Sequence, residues 1–178
     1  MINEEIIKNW GVPKSIKDKK IKFRFNNENL KCDSKDKEIV KNLDCYDRGS
    51  KFCLYDIEND KIILTMDFFI PRSFRGTKDT EKEIKLQCLY INDSEMRRKG
   101  IATYYLEKVI EFGISNDINK FRLSPNPEAE EFENLDKRKT LSLKDLNDFY
   151  IRKFEKFGFK YEYLFTEDDE VEQIIFEK

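Results

Sequence analysis

Between Ile84 and Phe112 the chain passes from a strand-like run to a helix-like run through a basic, glycine-bearing turn, and the rest of the fold has to accommodate that unit. Ile84 to Ile91 (I-K-L-Q-C-L-Y-I) reads as a strand, and Asn92 to Glu95 supplies turn-forming residues. After Arg97-Arg98-Lys99-Gly100, the apolar residues Ile101, Tyr105, Val109 and Phe112 fall near helical spacing, with Ala102, Leu106 and Ile110 beside them. The first N–H groups of a helix lack an acceptor within it and carry the positive end of its dipole. A turn that feeds a helix is therefore suited to an anion. Adjacent cations and a glycine that lets backbone approach a ligand add to that suitability. The same pattern also suits a plain solvated turn.

The remaining segments read in chain order as alternating strands and helices. Asn3 to Trp10 predicts a short helix stopped by Gly11-Val12-Pro13, and a lysine-rich link leads to a strand in which Ile21, Phe23 and Phe25 alternate with Lys22 and Arg24. Asp33-Ser34 before Ile39, Val40 and Leu43 predicts a capped helix that ends near Asp47-Arg48-Gly49. Lys51 to Ile57 and Lys61 to Ile70 form an expected hairpin around Glu58-Asn59-Asp60, closed by Pro71. A polar loop, Arg72 to Glu83, precedes the strand at 84–91. Beyond the 101–112 helix come a strand from Lys120 to Ser124, Pro125-Asn126-Pro127, and a charged insert from Glu128 to Lys139. Ser142 to Phe157 predicts a helix with Leu143, Leu146, Tyr150, Phe154 and Phe157 on one stripe and Gly158 as its stop. Phe159, Tyr161, Tyr163 and Phe165 alternate as a strand, and a turn at Glu167-Asp168-Asp169 leads to a last strand, Val171 to Phe176.

At 178 residues the chain suits one domain, here residues 1–178 with 1–20 as an N-terminal extension. Its 15 Phe and 8 Tyr supply an aromatic core although 39% of residues are charged. The net charge of −2 gives no overall attraction to nucleic acid or anionic membrane. No apolar run approaches the roughly 18 residues of a membrane span, and the N-terminus lacks a signal-like apolar stretch, so a cytoplasmic protein is expected. Cys32, Cys45, Cys53 and Cys88 form no C-x-x-C pair, which argues for free thiols and against structural zinc. The chain has no histidine. That removes Ser-His-Asp and Cys-His nucleophile chemistry and histidine-ligated zinc, and leaves proton transfer to carboxylates, Tyr, Lys, Cys or water.

The order strand, helix, three strands, helix, strand, helix, two strands carries R-x-x-G-x-A after its fourth strand and F-E-K-F-G-F at the end of its last helix. In these features residues 21–176 resemble the GCN5-related N-acetyltransferase (GNAT) superfamily. The family's pyrophosphate-loop pattern, Q/R-x-x-G-x-G/A, is matched by Arg97, Gly100 and Ala102. Its second signature, N-x-x-A-x-x-x-Y-E-K-x-G-F, is matched by Asn147, Glu155, Lys156, Gly158 and Phe159. The resemblance implies an α/β (α+β) fold: a mixed, mostly antiparallel, twisted sheet of six to seven strands flanked by helices and splayed between the fourth and fifth strands. It implies acetyl-coenzyme A as cosubstrate and no metal. Leu89 and Ile91 would pair with the pantetheine arm, and Arg97, Arg98, Lys99, Gly100, Ile101, Ala102 and Thr103 would hold the pyrophosphate, with Asn147 also at the cofactor.

The implied activity is acetyl transfer from acetyl-coenzyme A to a primary amine by direct attack in a ternary complex. The acceptor is a small molecule, a peptide or protein amine, or an aminoacyl-tRNA, and the protein acts as a monomer or homodimer away from membranes. Where many family members carry a tyrosine that assists the departing thiolate, this chain has Phe154. Tyr150, one helical turn earlier, is the candidate replacement, although the apolar stripe equally suits both residues to a core. Cys88 is a packing residue or, alternatively, an acyl-accepting thiol. Asp67 and Glu83 are candidate bases with no motif behind either. A non-catalytic acetyl-coenzyme A-binding module is the rival reading.

Overall fold

A computed structural model of the chain describes residues 4–25, 51–71, 82–128, 136–166 and 171–178. The predicted helix after Asp33, most of the 72–83 loop, the middle of the 128–139 insert and the turn at 167–169 lie outside the described residues. The rest forms helices α1 (Glu4–Trp10), α2 (Ile101–Ser115) and α3 (Leu143–Glu155). The strands are β1 (Ile21–Arg24), β2 (Phe52–Asp56), β3 (Lys61–Phe69), β4 (Glu83–Ile91), β5 (Lys120–Leu123), β6 (Lys160–Phe165) and β7 (Val171–Glu177). Each matches a sequence expectation to within a few residues at its ends, and β4 takes in Glu83 from the expected loop.

The strands make one seven-stranded sheet in the order β1-β2-β3-β4-β5-β7-β6. Every neighbouring pair is antiparallel except β4 and β5. That parallel step needs a crossover, which α2 supplies. Helix α3 carries the chain from β5 past the position of β7 to the sheet edge at β6, and β7 then returns between them. β2 and β3 are buried along nearly their whole length, so they read as apolar runs rather than as clean alternation.

Helix α2 buries Ile101, Tyr105, Leu106, Val109, Ile110 and Gly113, the stripe its spacing predicts. The hydroxyls of Tyr104 and Tyr105 donate to the carbonyls of Trp10 and Gly11, the second at 2.8 Å. The N-terminal segment is thereby built into the core: Ile7 and Ile16 are fully buried, and the Trp10 ring lies stacked 6.0 Å from that of Phe68. Helix α3 begins at Ser142, whose side chain accepts from the Asp145 N–H. It ends before Gly158, which takes φ +83°, as a C-terminal stop requires.

Gly113 marks the closest approach of α2 to the sheet. A Cβ there would overlap the Phe121 ring and press on Ile84 Cδ1 at 3.2 Å. Alanine gains about 1 kcal/mol over glycine in helix propensity. Overpacking of a rigid aromatic contact costs about 1–3 kcal/mol and should win. Gly113→Ala is therefore expected to lower the free energy of urea unfolding by about 1 kcal/mol, and an equal or more stable variant would show that the contact relaxes freely.

Candidate functional site

The site originates in a short pairing. β4 and β5 run together only from Glu83 opposite Lys120 to Leu86 opposite Leu123, after which β5 ends and β4 continues through Gln87 to Ile91. The register against β3 explains why β4 changes course there. Phe68 pairs with Leu86 and Asp67 with Cys88, so Gln87 is an extra residue, a bulge. Ile84 and Leu86 face the main core before it. Leu89 and Ile91, opposite Met66 and Leu64, face that core after it, whereas Cys88 and Tyr90 stand opposite Asp67 and Thr65. This phase change is visible in the sequence as apolar positions at 84 and 86 and then at 89 and 91, a step of three where alternation requires two. It is the signal the sequence reading passed over.

Past the bulge the two strands part around a cavity of about 710 Å³. Its wall is formed by Leu86 to Ile91, the turn and first residues of α2, the Ser124–Pro127 segment, Lys139 to Leu141, and the cavity-facing side of α3. Of the expected site residues, Leu89, Ile91, Arg97, Arg98, Gly100, Ile101, Ala102, Thr103 and Tyr150 line it. Lys99 and Asn147 do not. Lys99 extends outward with Nζ 3.8 Å from Met96 Sδ, and Asn147 is half-buried on α3 with no hydrogen-bond partner for Oδ1 among the described residues.

The start of α2 is shaped for an anion. Gly100 caps the helix at φ +78° and its carbonyl accepts the first helical bond, from the Tyr104 N–H at 2.9 Å. The N–H groups of Gly100 to Thr103 are thus left without helical acceptors, at the cavity wall. Arg98 holds φ +62°, an unfavourable conformation for a side chain with a Cβ, and it stands exposed at the mouth.

Arg97 behaves differently from its neighbours. It is buried, and its guanidinium is consumed by protein acceptors. Nε donates to the Ile91 carbonyl at 3.1 Å. Nη1 donates to the carbonyls of Asp136 and Arg138, both at 2.6 Å, and to Thr140 Oγ1 at 2.9 Å. Nη2 donates to the Tyr90 hydroxyl at 2.8 Å. Its backbone N–H is likewise taken by the Ser94 carbonyl at 3.3 Å. The side chain that opens the expected phosphate motif is therefore a clamp that fixes the turn to residues 136–140. Around it, Ser94 donates to Asp136 at 2.7 Å, and Arg138 binds both that carboxylate and Glu95. The Arg138 guanidinium and the Ser94 hydroxyl hold the Asp136 carboxyl well below the usual range. Sequence spacing carries no sign of this clamp, since its acceptors lie about forty residues downstream and most are backbone carbonyls.

Helix α3 divides its stripe between core and cavity. Phe154 is fully buried, stacked 3.9 Å from Phe176 and edge-on to Phe121 and Phe159. Tyr150 is only 6% exposed, yet its side chain belongs to the cavity wall and its hydroxyl makes no hydrogen bond to the described residues. Burial, with a smaller effect from neighbouring Cys88, raises its pKa and keeps it protonated. Among the described residues no cluster of His, Cys, Asp or Glu gathers to hold a metal, and no helix is long and apolar enough to cross a membrane.

The parted β4–β5 pair, the bulge beside it and the helix N-terminus at its mouth define the GNAT fold. Comparison with solved structures agrees. A chain of the NatC complex bound to Gag peptide and coenzyme A is 13% identical with a TM-score of 0.51, the match covering 89% of this chain and 98% of that one. Arabidopsis thaliana NAA60 in complex with acetyl-coenzyme A is 14% identical over 88% of this chain and 97% of its own, with a TM-score of 0.43. The Bacillus subtilis N-acetyltransferase YlbP in complex with coenzyme A is 17% identical over 72% and 67%, with a TM-score of 0.37. No family model matches the sequence, and no curated protein does. The likeness is one of fold.

The clamp predicts a defined loss. Arg97→Ala leaves the carbonyls of Ile91, Asp136 and Arg138 without their charged donor and should lower the free energy of urea unfolding by about 2–3 kcal/mol. Arg97→Lys should restore only part of it, because one ammonium cannot reach acceptors spread around a planar fork. Equal stability of Arg97→Ala and the parent would refute the clamp.

Proposed function

We propose that the protein is an acetyl-coenzyme A-dependent N-acetyltransferase that transfers the acetyl group to a primary amine by direct attack. The observation that carries the proposal is the parting of β4 from β5 onto a cavity that has unspent helix N–H groups at one side and a buried, protonated tyrosine at another. Acetyl-coenzyme A, as cosubstrate, supplies the thioester. The donors and acceptors present fit it. Leu89 and Ile91 have backbone groups beyond the last pairing with β5, suited to an amide-bearing arm. The N–H groups of Gly100 to Thr103, helped by the exposed Arg98, suit a pyrophosphate. Lys99 contributes long-range charge, and Asn147, off the wall, is given no direct contact.

The chain's own residues then account for the chemistry. The cavity holds a neutral amine against an acyl carbon, which converts an encounter into a local step. Backbone N–H groups at the bulge, displaced from the regular ladder, serve as donors to developing oxyanion charge. Tyr150, kept neutral by burial, donates its proton or a hydrogen bond to the departing thiolate. Glu83 is bound to Arg122 at 3.2 Å where the strands are still paired, so it is not the base. The amine proton leaves through water in the open cavity. One observation favours the competing non-catalytic module: the family's tyrosine position, Phe154, is sealed in the core. The acceptor is a small-molecule, peptide or aminoacyl-tRNA amine.

Calorimetric titration with coenzyme A, followed by thiol release with acetyl-coenzyme A and a panel of these three amine classes, tests the proposal. Binding with turnover on one class is expected; binding without turnover on any class would establish the module instead. Gly100→Val should weaken coenzyme A binding by tenfold or more, about 1.4 kcal/mol. A Cβ at Gly100 meets nothing within 4 Å, so the strain of φ +78° should cost the fold only about 1–2 kcal/mol. Tyr150→Phe should reduce kcat about 100-fold with little change in KM for acetyl-coenzyme A. In the parent, the acid form of Tyr150 persists because its pKa is raised, so activity should not fall with pH below about 10 on its account. An unaltered kcat in Tyr150→Phe would remove the residue from the mechanism.

A further inference from the structure

A cysteine on a strand is ordinarily packing. Cys88 has a setting that packing does not require. It lies one residue past the bulge, is 5% exposed and forms part of the cavity wall, with Sγ 3.9 Å from the Thr65 carbonyl. Beside it in the same wall is Tyr150, more than nine-tenths buried, with a hydroxyl that no described residue satisfies. A buried hydroxyl without a protein partner is satisfied by whatever occupies the space it faces. A thiol and an orphan hydroxyl thus share the end of a cavity suited to a thiol-bearing arm.

Building on the proposed cosubstrate site, we propose that Cys88 undergoes thiol–disulfide exchange with coenzyme A disulfide, leaving a mixed disulfide with one coenzyme A that plugs the cavity. The Cys88 thiolate attacks one sulfur of the reagent, the old S–S bond breaks as the new one forms, and the released coenzyme A thiolate takes up the proton that Cys88 lost. The disulfide is itself the oxidant, so electrons balance with no further reagent. Nothing around Cys88 activates it. Burial favours the neutral thiol, and its register partner Asp67 is acidic rather than basic. Reaction therefore depends on the site holding the reagent, and selectivity between disulfides is its signature.

The full chain is incubated with coenzyme A disulfide or with glutathione disulfide, and adducts are read by intact mass and peptide mapping. The expected result is one coenzyme A on Cys88, formed at least about tenfold faster than the glutathione adduct. Adenosine 3′,5′-bisphosphate should slow it, and dithiothreitol should reverse it. Labelling of Cys32, Cys45 or Cys53 in place of Cys88, equal rates with the two disulfides, or no adduct overturns the inference. Calorimetric binding of coenzyme A in reducing buffer separates the two readings. Binding without Cys88 labelling ends this inference and leaves the cosubstrate site standing, while absence of binding ends both.

Discussion

Parallel pairing between β4 and β5 that stops after Leu86 and Leu123 is the constraint on which the rest of the site depends. A sheet whose central strands stayed paired would place backbone against backbone where the cavity now lies. The bulge at Gln87 turns β4 away at the point where β5 ends, so that one strand retains a row of backbone groups with no neighbour on that side. Everything that could recognise an anionic, amide-containing ligand is positioned relative to this gap. Helix α2 starts beside it because a parallel neighbour demands a crossover, and α3 crosses its far side because the chain must reach β6.

Charge at the mouth is divided between two tasks. Arg97 is spent on structure, joining the turn, Tyr90 and residues 136–140 through one planar cation. Arg98, next in sequence, is left exposed at the cost of an uncommon backbone conformation. A guanidinium surrounded by carbonyls contributes rigidity, and a rigid turn keeps the N–H groups of α2 aimed without reorganisation when an anion arrives. The cluster of Ser94, Glu95, Asp136 and Arg138 extends the same junction at the surface, where its ion pairs are screened and their individual contributions small.

Sequence periodicity disclosed most of the elements because their burial is simple. The α2 stripe, the Ser142 cap, the Gly158 stop and the hairpin around residues 58–60 all follow from local rules. The site was legible where it is local, as in Gly100 to Thr103 and Tyr150. It was illegible where chain-distant groups meet. The role of Arg97 depends on carbonyls in an insert that carries no pattern, and the division of α3 between Phe154 and Tyr150 depends on where the sheet parts. Both residues sit on one apolar stripe, and only the geometry of β5 and β7 beneath them decides which meets Phe176 and which meets the cavity. Asn147 shows the converse: it fits a motif by spacing, yet lies off the wall.

Strand β7 has a consequence for how the molecule is made. It follows β6 in the chain but lies between β5 and β6. Until it is synthesised, the sheet exists as two pieces, with Phe154 and Phe121 lacking the Phe176 ring that covers them. The hydroxyls of Tyr104 and Tyr105 likewise wait for nothing on their own helix but reach back ninety-four positions to Trp10 and Gly11. Contacts of such sequence separation are slow to form. During translation, the aromatic core is thus exposed for most of the time the ribosome takes to deliver the chain, which makes this a protein with a prolonged need for shelter while it is being born.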